Sequence, residues 1–121
     1  MTDKELLELA AKAAGVEIIP MQIDNVTKQG DNRFIGFMTK ADEWPRRWFD
    51  PLTDDGDALR LAVRLDLIVS RGYTEVGKEA VVFYLNEIQH QMRCVVPHGK
   101  NPYAATRLAI VRAAAEMGRA K

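Results

Sequence analysis

The sequence predicts one α+β domain, in which a mainly antiparallel sheet of about three to five strands carries three packed helices, as in an α-β-α sandwich. Three segments combine capping residues with apolar residues at helical spacing. The stretches between them are rich in β-branched and aromatic residues and are separated by Gly, Pro and Asn, which is typical of strands and turns. A chain of 121 residues has the length of one domain, so residues 1–121 are treated as one unit.

The composition argues against several classes of protein. Lys and Arg together number 17, as do Asp and Glu, so the formal net charge is zero. A surface built mainly to hold a nucleic-acid backbone would be strongly basic. Cys94 is the one cysteine and cannot form an intrachain disulfide. The sequence shows no apolar run of membrane-spanning length and no signal-peptide pattern, so we expect a reducing cytoplasm.

The first predicted helix begins at Thr2 and ends at Gly15. Thr2 and Glu5 have the spacing of a capping box, and glycine commonly ends a helix in the left-handed conformation. The segment Val16 to Ile23 is rich in β-branched residues but contains Pro20. It therefore predicts an edge strand or an irregular extended segment.

Two further segments complete the first part of the chain. Asp24 to Asn32 is polar, contains Gly30 and predicts a turn. Arg33 to Thr39 predicts a strand, in which Gly36 indicates a bulge or the close approach of another group.

The loop Ala41 to Pro51 carries both tryptophans, Trp44 and Trp48, and two adjacent arginines, Arg46 and Arg47. Its prolines prevent it from continuing a helix or a central strand. One interpretation is a plug whose aromatic rings cover one end of the core. The other is a recognition loop, because Trp and Arg dominate binding hot spots and can together stack on a base and hold a phosphate. The residues alone leave both interpretations open.

The middle helix is predicted from a capping cluster followed by helical spacing. Thr53, Asp54 and Asp55 can accept hydrogen bonds from the free N–H groups at its start. Its predicted buried face consists of four apolar residues, Ala58, Leu61, Ala62 and Leu65. Its predicted outer face carries three charged residues, Asp57, Arg60 and Arg64. The alternative is a cation site formed by Asp50, Asp54, Asp55 and Asp57, although the spacing of a calcium loop is absent.

The segment after the middle helix predicts strands and short turns. Leu67 to Ser70 is extended, and turns are predicted at Arg71 to Tyr73 and at Val76 to Lys78. Ala80 to Leu85 is the clearest strand of the chain.

An antiparallel partner strand is predicted at Ile88 to Val96, after a tight connection at Asn86 and Glu87. Alternation places His90 on the apolar side of this strand. That position favours a packed core histidine over a catalytic one.

The last helix is predicted from Asn101 as the N-cap and Pro102 at the first helical position. Its predicted apolar face consists of six residues, Tyr103, Thr106, Ile110, Ala113, Ala114 and Met117. The entry loop brings His98 and Lys100 beside free helix N–H groups, which makes an anion site one interpretation and an ordinary capped loop the other. The spacing of a P-loop is absent.

Two segments carry a resemblance to a known group of proteins. They are Phe49 to Val63, FDPLTDDGDALRLAV, and Asn101 to Ala114, NPYAATRLAIVRAA. Together with Ala11 to Gly15, Trp48 to Pro51 and the pair Asp57-Ala58, in that order, they make most of the chain resemble small bacteriophage and prophage proteins of the phage α-β-α sandwich group. That group is largely of unknown function, so the resemblance implies no catalytic residue. Phage origin implies an accessory protein in the host cytoplasm that binds a host protein or captures a host signalling molecule.

The first functional hypothesis is a non-catalytic phage accessory protein that binds a host factor or a small anionic ligand, such as a nucleotide signal, and thereby counters host defence. The residues expected to bind are Trp44, Arg46, Arg47 and Trp48 for stacking and charge, with His98, Lys100 and Asn101 for phosphate. No metal or cofactor is expected, because two histidines and one cysteine are too few for a convincing zinc site. A homodimer is consistent with this hypothesis, because subunits can form a pocket between them.

Two alternatives remain. One is a small hydrolase or nuclease in which His90 or His98 works with an aspartate from Asp50 to Asp57, which requires these side chains to reach a common point. A weaker alternative is nucleic-acid binding through four basic residues, Arg46, Arg47, Arg71 and Lys100.

Overall fold

The computed structural model describes residues 1–24, 32–40 and 44–121, and every statement below refers to these residues. In chain order they form α1 (Asp3–Ala14), β1 (Ile18–Asp24), β2 (Asn32–Thr39), β3 (Trp48–Phe49), α2 (Asp55–Arg64), β4 (Ile68–Thr74), β5 (Gly77–Leu85), β6 (Gln91–Pro97) and α3 (Pro102–Arg119). None of the helices that the structure describes is both long enough and apolar enough to cross a membrane.

The six described strands form two antiparallel sheets of three strands each. The first has the order β1-β2-β3 and the second has the order β4-β5-β6. The predicted α+β class with three helices is confirmed. The strands are divided between two sheets, and both sheets contribute side chains to one hydrophobic core, Phe37 from the first and Val82 from the second.

α3 packs on strands β5 and β6 of the second sheet, and α1 and α2 pack against α3. Its buried side consists mainly of alanines, which allows a close approach to α1. At Gly118 the approach is so close that an added Cβ would lie 2.0 Å from the carbonyl oxygen of Leu9 in α1. Only glycine leaves room for the backbones of α1 and α3 at this contact.

The helix ends confirm the predicted caps. The Oγ1 atom of Thr2 accepts a hydrogen bond from the N–H of Glu5 (3.2 Å), and Gly15 ends α1 in the left-handed conformation with φ 72°. Asp54 caps α2 and Asn101 caps α3, each through its side chain. These signals are local in the sequence, which is why they could be predicted.

The first sheet also confirms its sequence signals. Pro20 lies in β1, which is an edge strand of this sheet. Met21 pairs with Gly36 while Gln22 pairs with Phe34, so Ile35 is the extra residue of a β-bulge. The predicted turn at Asp24 to Asn32 falls on residues 25–31, which lie outside the described residues.

The second sheet corrects three predictions. Arg71 to Tyr73 is part of β4, and the only turn of this hairpin lies at Glu75-Val76. Ile88 to His90 does not begin a strand, because the Oδ1 atom of Asn86 accepts hydrogen bonds from the N–H groups of Ile88 (3.1 Å) and His90 (2.9 Å) and closes a loop. His90 is therefore exposed beside β6 and does not pack in the core.

Two predictions for the helix faces are also wrong. Helical spacing predicts Tyr103 on the buried face of α3, but its side chain is 69% exposed, whereas Ile110, Ala113 and Ala114 are buried as predicted. The spacing predicts Asp57 on the outer face of α2, but its side chain is fully buried. The reason is that its carboxylate accepts hydrogen bonds from Trp44 and Asp50 in the loop that precedes α2.

Candidate binding site

A hydrogen bond between Trp44 and Asp57 connects residues 44–51, called here the tryptophan loop, to α2. The indole of Trp44 is buried, and its Nε1–H donates to the Oδ1 atom of Asp57 (3.1 Å). The ring also packs edge-on against Phe49, with centroids 5.2 Å apart. The plug interpretation of the loop is therefore correct for Trp44, whose indole cannot stack on a ligand from this position.

The carboxylate of Asp57 is the centre of this buried network. Its Oδ2 atom accepts from the backbone N–H of Asp50 (2.9 Å), and its Oδ1 atom also accepts from Arg60 (2.9 Å). With the Trp44 indole this gives three donors for one buried carboxylate, so its charge is compensated. The network holds both ends of the segment from Trp44 to Asp50 on α2.

Trp48 has a different environment from Trp44. Its side chain is 37% exposed, and its backbone pairs with Met38 in the first sheet. The indole lies over Gly36, where an added Cβ would come 3.4 Å from its Cζ3 atom. The sequence predicted a close approach at Gly36, and this indole is the group that approaches. One tryptophan of the loop is thus a core residue and the other is accessible.

The accessible indole lines a cleft of about 490 Å³, called here the Trp48 cleft. Its lining comes from the start of α1, from β2 and from the loop that leads to α2: Asp3, Leu7, Phe34, Ile35, Gly36, Phe37, Arg46, Trp48, Phe49, Asp50, Leu52 and Thr53. A volume of this size is in the range of pockets that bind small molecules or single side chains of a partner. Its walls are mainly aromatic and apolar, with charged groups from Asp3, Arg46 and Asp50.

Arg46 is already paired. Its Nη1 atom lies 2.6 Å from the Oδ1 atom of Asp54, the N-cap of α2. The N–H of Asp57 and the Arg46 guanidinium hold the pKa of Asp54 below its ordinary value of 3.8, and the Asp54 carboxylate raises the pKa of Arg46. Two carboxylates, those of Asp3 and Asp50, also line the cleft, so a neutral or basic guest is electrostatically favoured over an anion.

The depressed pKa of Asp54 predicts an acid dependence of stability. Because the folded pKa lies below the unfolded one, Asp54 stabilises the fold above about pH 4. This contribution is lost as the pH falls through the folded pKa. We expect Asp54→Asn, which retains a capping oxygen, to flatten the decrease in unfolding free energy below about pH 4. Urea unfolding between pH 7 and pH 3 measures this, and parallel curves for the two proteins would contradict it.

The second half of the predicted site lies elsewhere. His98 is half-buried and lines a cavity of about 560 Å³, called here the His98 cavity, between the β4–β5 turn and the start of α3. Lys78 also lines it, and its carbonyl accepts from the His98 N–H (3.0 Å). The described linings of the Trp48 cleft and the His98 cavity share no residue.

The three other predicted binding residues are Arg47, Lys100 and Asn101. Arg47 is exposed, and its carbonyl accepts a hydrogen bond from the N–H of Thr39 (2.7 Å). Lys100 is exposed, and the Oδ1 atom of Asn101 accepts from the N–H of Ala104 (3.1 Å), which caps α3. The side-chain oxygen of Asn101 therefore already accepts the capping hydrogen bond of α3.

The aspartates of the hydrolase alternative all have structural partners. Asp57 is buried in its network, Asp54 caps α2, and Asp55 pairs with Arg107 at 2.6 Å. Asp50 accepts a hydrogen bond from the hydroxyl of Thr53. None of these aspartates is among the described residues that line the His98 cavity.

Two of the four basic residues of the nucleic-acid alternative have partners within the fold. Arg46 lies in the Trp48 cleft paired with Asp54, and Arg71 stacks on Tyr73 in β4 with its guanidinium carbon 5.0 Å from the ring centroid. Among the described residues, no group of three or more His, Cys, Asp and Glu side chains has an arrangement that could hold a metal ion.

Comparison with known proteins gave no match: no family model, no curated protein and no solved structure is detectably similar to this chain.

Proposed function

We propose that this chain is a non-catalytic accessory protein of phage type, which binds a segment of a host protein in the Trp48 cleft and so inhibits that protein in the host cytoplasm. The single observation that carries the proposal is the exposed Trp48 indole, which lines a cleft of about 490 Å³ with mainly apolar walls. Exposed tryptophans at a concave surface are typical anchors of binding hot spots.

The charges of the cleft favour a protein segment over a small anion. Arg46 is neutralised by Asp54, and the carboxylates of Asp3 and Asp50 add negative charge to the lining. A segment with an aromatic or large apolar side chain beside Lys or Arg would satisfy both features, because its ring would pack on Trp48 and its cation would pair with the carboxylates.

The test is selection of binders from a displayed library of random peptides. We expect the enriched peptides to combine an aromatic or large apolar residue with Lys or Arg. Replacing Trp48 by alanine should weaken their binding by about 30-fold or more, as for a hot-spot residue worth about 2 kcal/mol. Calorimetry with synthetic copies of the selected peptides measures the loss.

The matched control is Tyr103→Ala, which removes an exposed aromatic side chain from α3, away from the described lining of the cleft. This variant should bind the selected peptides as the unsubstituted chain does. Peptides that bind the Trp48→Ala variant with unchanged affinity would contradict the assignment of the cleft.

A second candidate is the capture of a small anionic ligand, such as a nucleotide signal, in the His98 cavity. It is favoured by one observation: Lys78 and His98 line the same cavity beside the first turn of α3, together with a single carboxylate among the described lining residues, that of Glu79. Thermal-shift screening against cyclic nucleotides tests it. Stabilisation that disappears in a Lys78→Ala variant would favour it over the peptide site.

A further inference from the structure

The second sheet has an open edge at β4. The strand order β4-β5-β6 leaves one side of β4 without a described partner strand. Large side chains on this strand are exposed on both faces of the sheet: Ile68 is 56% exposed, Val69 is 44% and Tyr73 is 66%. An exposed edge with apolar side chains is a template for pairing with another strand.

The described edges differ in how they resist such pairing. β1 contains Pro20 and lies opposite a bulge, and β3 has two residues. β6 ends at Pro97. β4 has no proline or lysine, and it pairs with β5 over seven consecutive residues without a register shift. It is therefore the longest regular edge without a proline in the described part of the chain.

The hairpin geometry identifies which backbone groups of β4 face outwards. Thr74 and Gly77 pair across the two-residue turn. In a hairpin of this type the pair that flanks the turn is a hydrogen-bonded pair. Because bonded and non-bonded pairs alternate in an antiparallel ladder, Gly72 and Ser70 also bond to β5. The N–H and C=O groups of Val69, Arg71 and Tyr73 therefore point to the open edge.

We propose that β4 pairs antiparallel with β4 of a second copy of this chain, with Gly72 opposite Gly72 of the partner subunit. The two sheets would then form one continuous sheet across a two-fold axis. In this register Arg71 lies opposite Tyr73 of the partner subunit. The Arg71 guanidinium already lies 5.0 Å from the ring of its own Tyr73, so it would be held between two aromatic rings.

Side chains discriminate against the neighbouring register that is centred on Arg71. That register would place two arginines directly opposite each other, which is unfavourable. At the proposed centre Gly72 has no side chain to obstruct pairing, and the Glu79 side chain occupies the space above it: an added Cβ would lie 2.9 Å from Glu79 Oε1. One strand pair buries less than a standard interface of about 800 Å² per partner, so we expect a micromolar dissociation constant.

Sedimentation equilibrium over a range of concentrations tests this pairing. The unsubstituted chain should reach twice the 13.6 kDa mass of one chain. Tyr73→Lys should weaken the association at least tenfold, because it removes the ring and places a lysine opposite Arg71 of the partner subunit. The matched control is Ile19→Lys, which adds a lysine at an exposed position on the edge strand of the first sheet and should leave the dimer unchanged.

Hydrogen exchange provides a second readout with residue resolution. In the dimer the outward amides of Arg71 and Tyr73, which lie opposite each other in this register, should be protected, and this protection should be lost in Tyr73→Lys. A mass of one chain at concentrations up to about 1 mM would overturn the proposal. So would a dimer unaffected by Tyr73→Lys, or a monomer that pairs β4 with an extended peptide instead of a second copy.

Discussion

Replacing Gly118 by alanine should destabilise the fold by roughly 3 kcal/mol or more, the upper end of the cost of overpacking a core. The added Cβ would lie 2.0 Å from the carbonyl oxygen of Leu9, a backbone atom that cannot move without displacing α1. In an unconstrained helix the same change would be stabilising, because alanine has the higher helix propensity. Urea unfolding monitored by circular dichroism measures the difference.

The matched control for Gly118 is Gly56→Ala in α2. There the nearest atoms to an added Cβ are the Nη1 atom of Arg60 (3.1 Å) and the Oδ2 atom of Asp54 (3.2 Å), which are side-chain atoms and need to shift by only a few tenths of an ångström. We therefore expect a much smaller loss of unfolding free energy than for Gly118→Ala. If Gly118→Ala were as well tolerated as Gly56→Ala, the close contact between α1 and α3 would be wrong.

Replacing Asp57 by alanine should cost about 3–5 kcal/mol of unfolding free energy, the range for breaking a buried charge pair. The substitution removes the acceptor for the buried Trp44 indole and for the Asp50 N–H. Each buried donor left without a partner costs about 1–3 kcal/mol. The pairing with Arg60 is lost as well. Chemical unfolding at pH 7 measures the total.

Two further variants serve as comparisons for Asp57→Ala. Asp57→Asn retains one acceptor oxygen, so its loss should be intermediate. Asp55→Ala removes a carboxylate two residues earlier that is mostly exposed, and its ion pair with Arg107 should contribute no more than about 1 kcal/mol. If Asp57→Ala cost no more than Asp55→Ala, the buried network would not hold the tryptophan loop.

The sequence predicted the parts of this fold that depend on neighbouring residues. Thr2, Gly15, Asp54 and Asn101 all cap helices as expected, because a cap involves groups within a few residues of each other. The bulge at Ile35, next to Gly36, could be predicted for a related reason, since a glycine inside a strand pattern indicates a local irregularity.

The errors arose where a distant group or a side-chain hydrogen bond outweighs the periodic pattern. Asp57 lies at a position that helical spacing assigned to the surface, but its partner Trp44 is 13 residues away. Gly72 interrupts the strand pattern and so predicts a turn at Arg71 to Tyr73, yet this glycine accommodates the side chain of Glu79 in the neighbouring strand. Asn86 carried the missed signal for the loop that holds His90, because Asn side chains commonly cap such turns.

The candidate site was predicted in part. The sequence indicated that the loop containing Trp44 and Trp48 is either a core plug or a recognition loop. In the structure the buried Trp44 fits the first interpretation, and the exposed Trp48 fits the second. It could not show that Arg46 is paired with Asp54, nor that His98 lines a different cavity from Trp48. Both facts depend on the packing of elements that are far apart in the chain.

The central claim is that Trp44 is a buried structural residue and that Trp48 contacts the bound peptide. Its most direct measurement is the ¹⁵N–¹H spectrum of the two indole N–H groups during titration with a selected peptide. Replacing Trp48 by phenylalanine assigns the two signals. We expect the Trp48 signal to shift on binding, while the Trp44 signal, bonded to buried Asp57, stays in place and exchanges slowly with solvent. A peptide that shifts the Trp44 signal, or that binds without moving the Trp48 signal, would contradict the account.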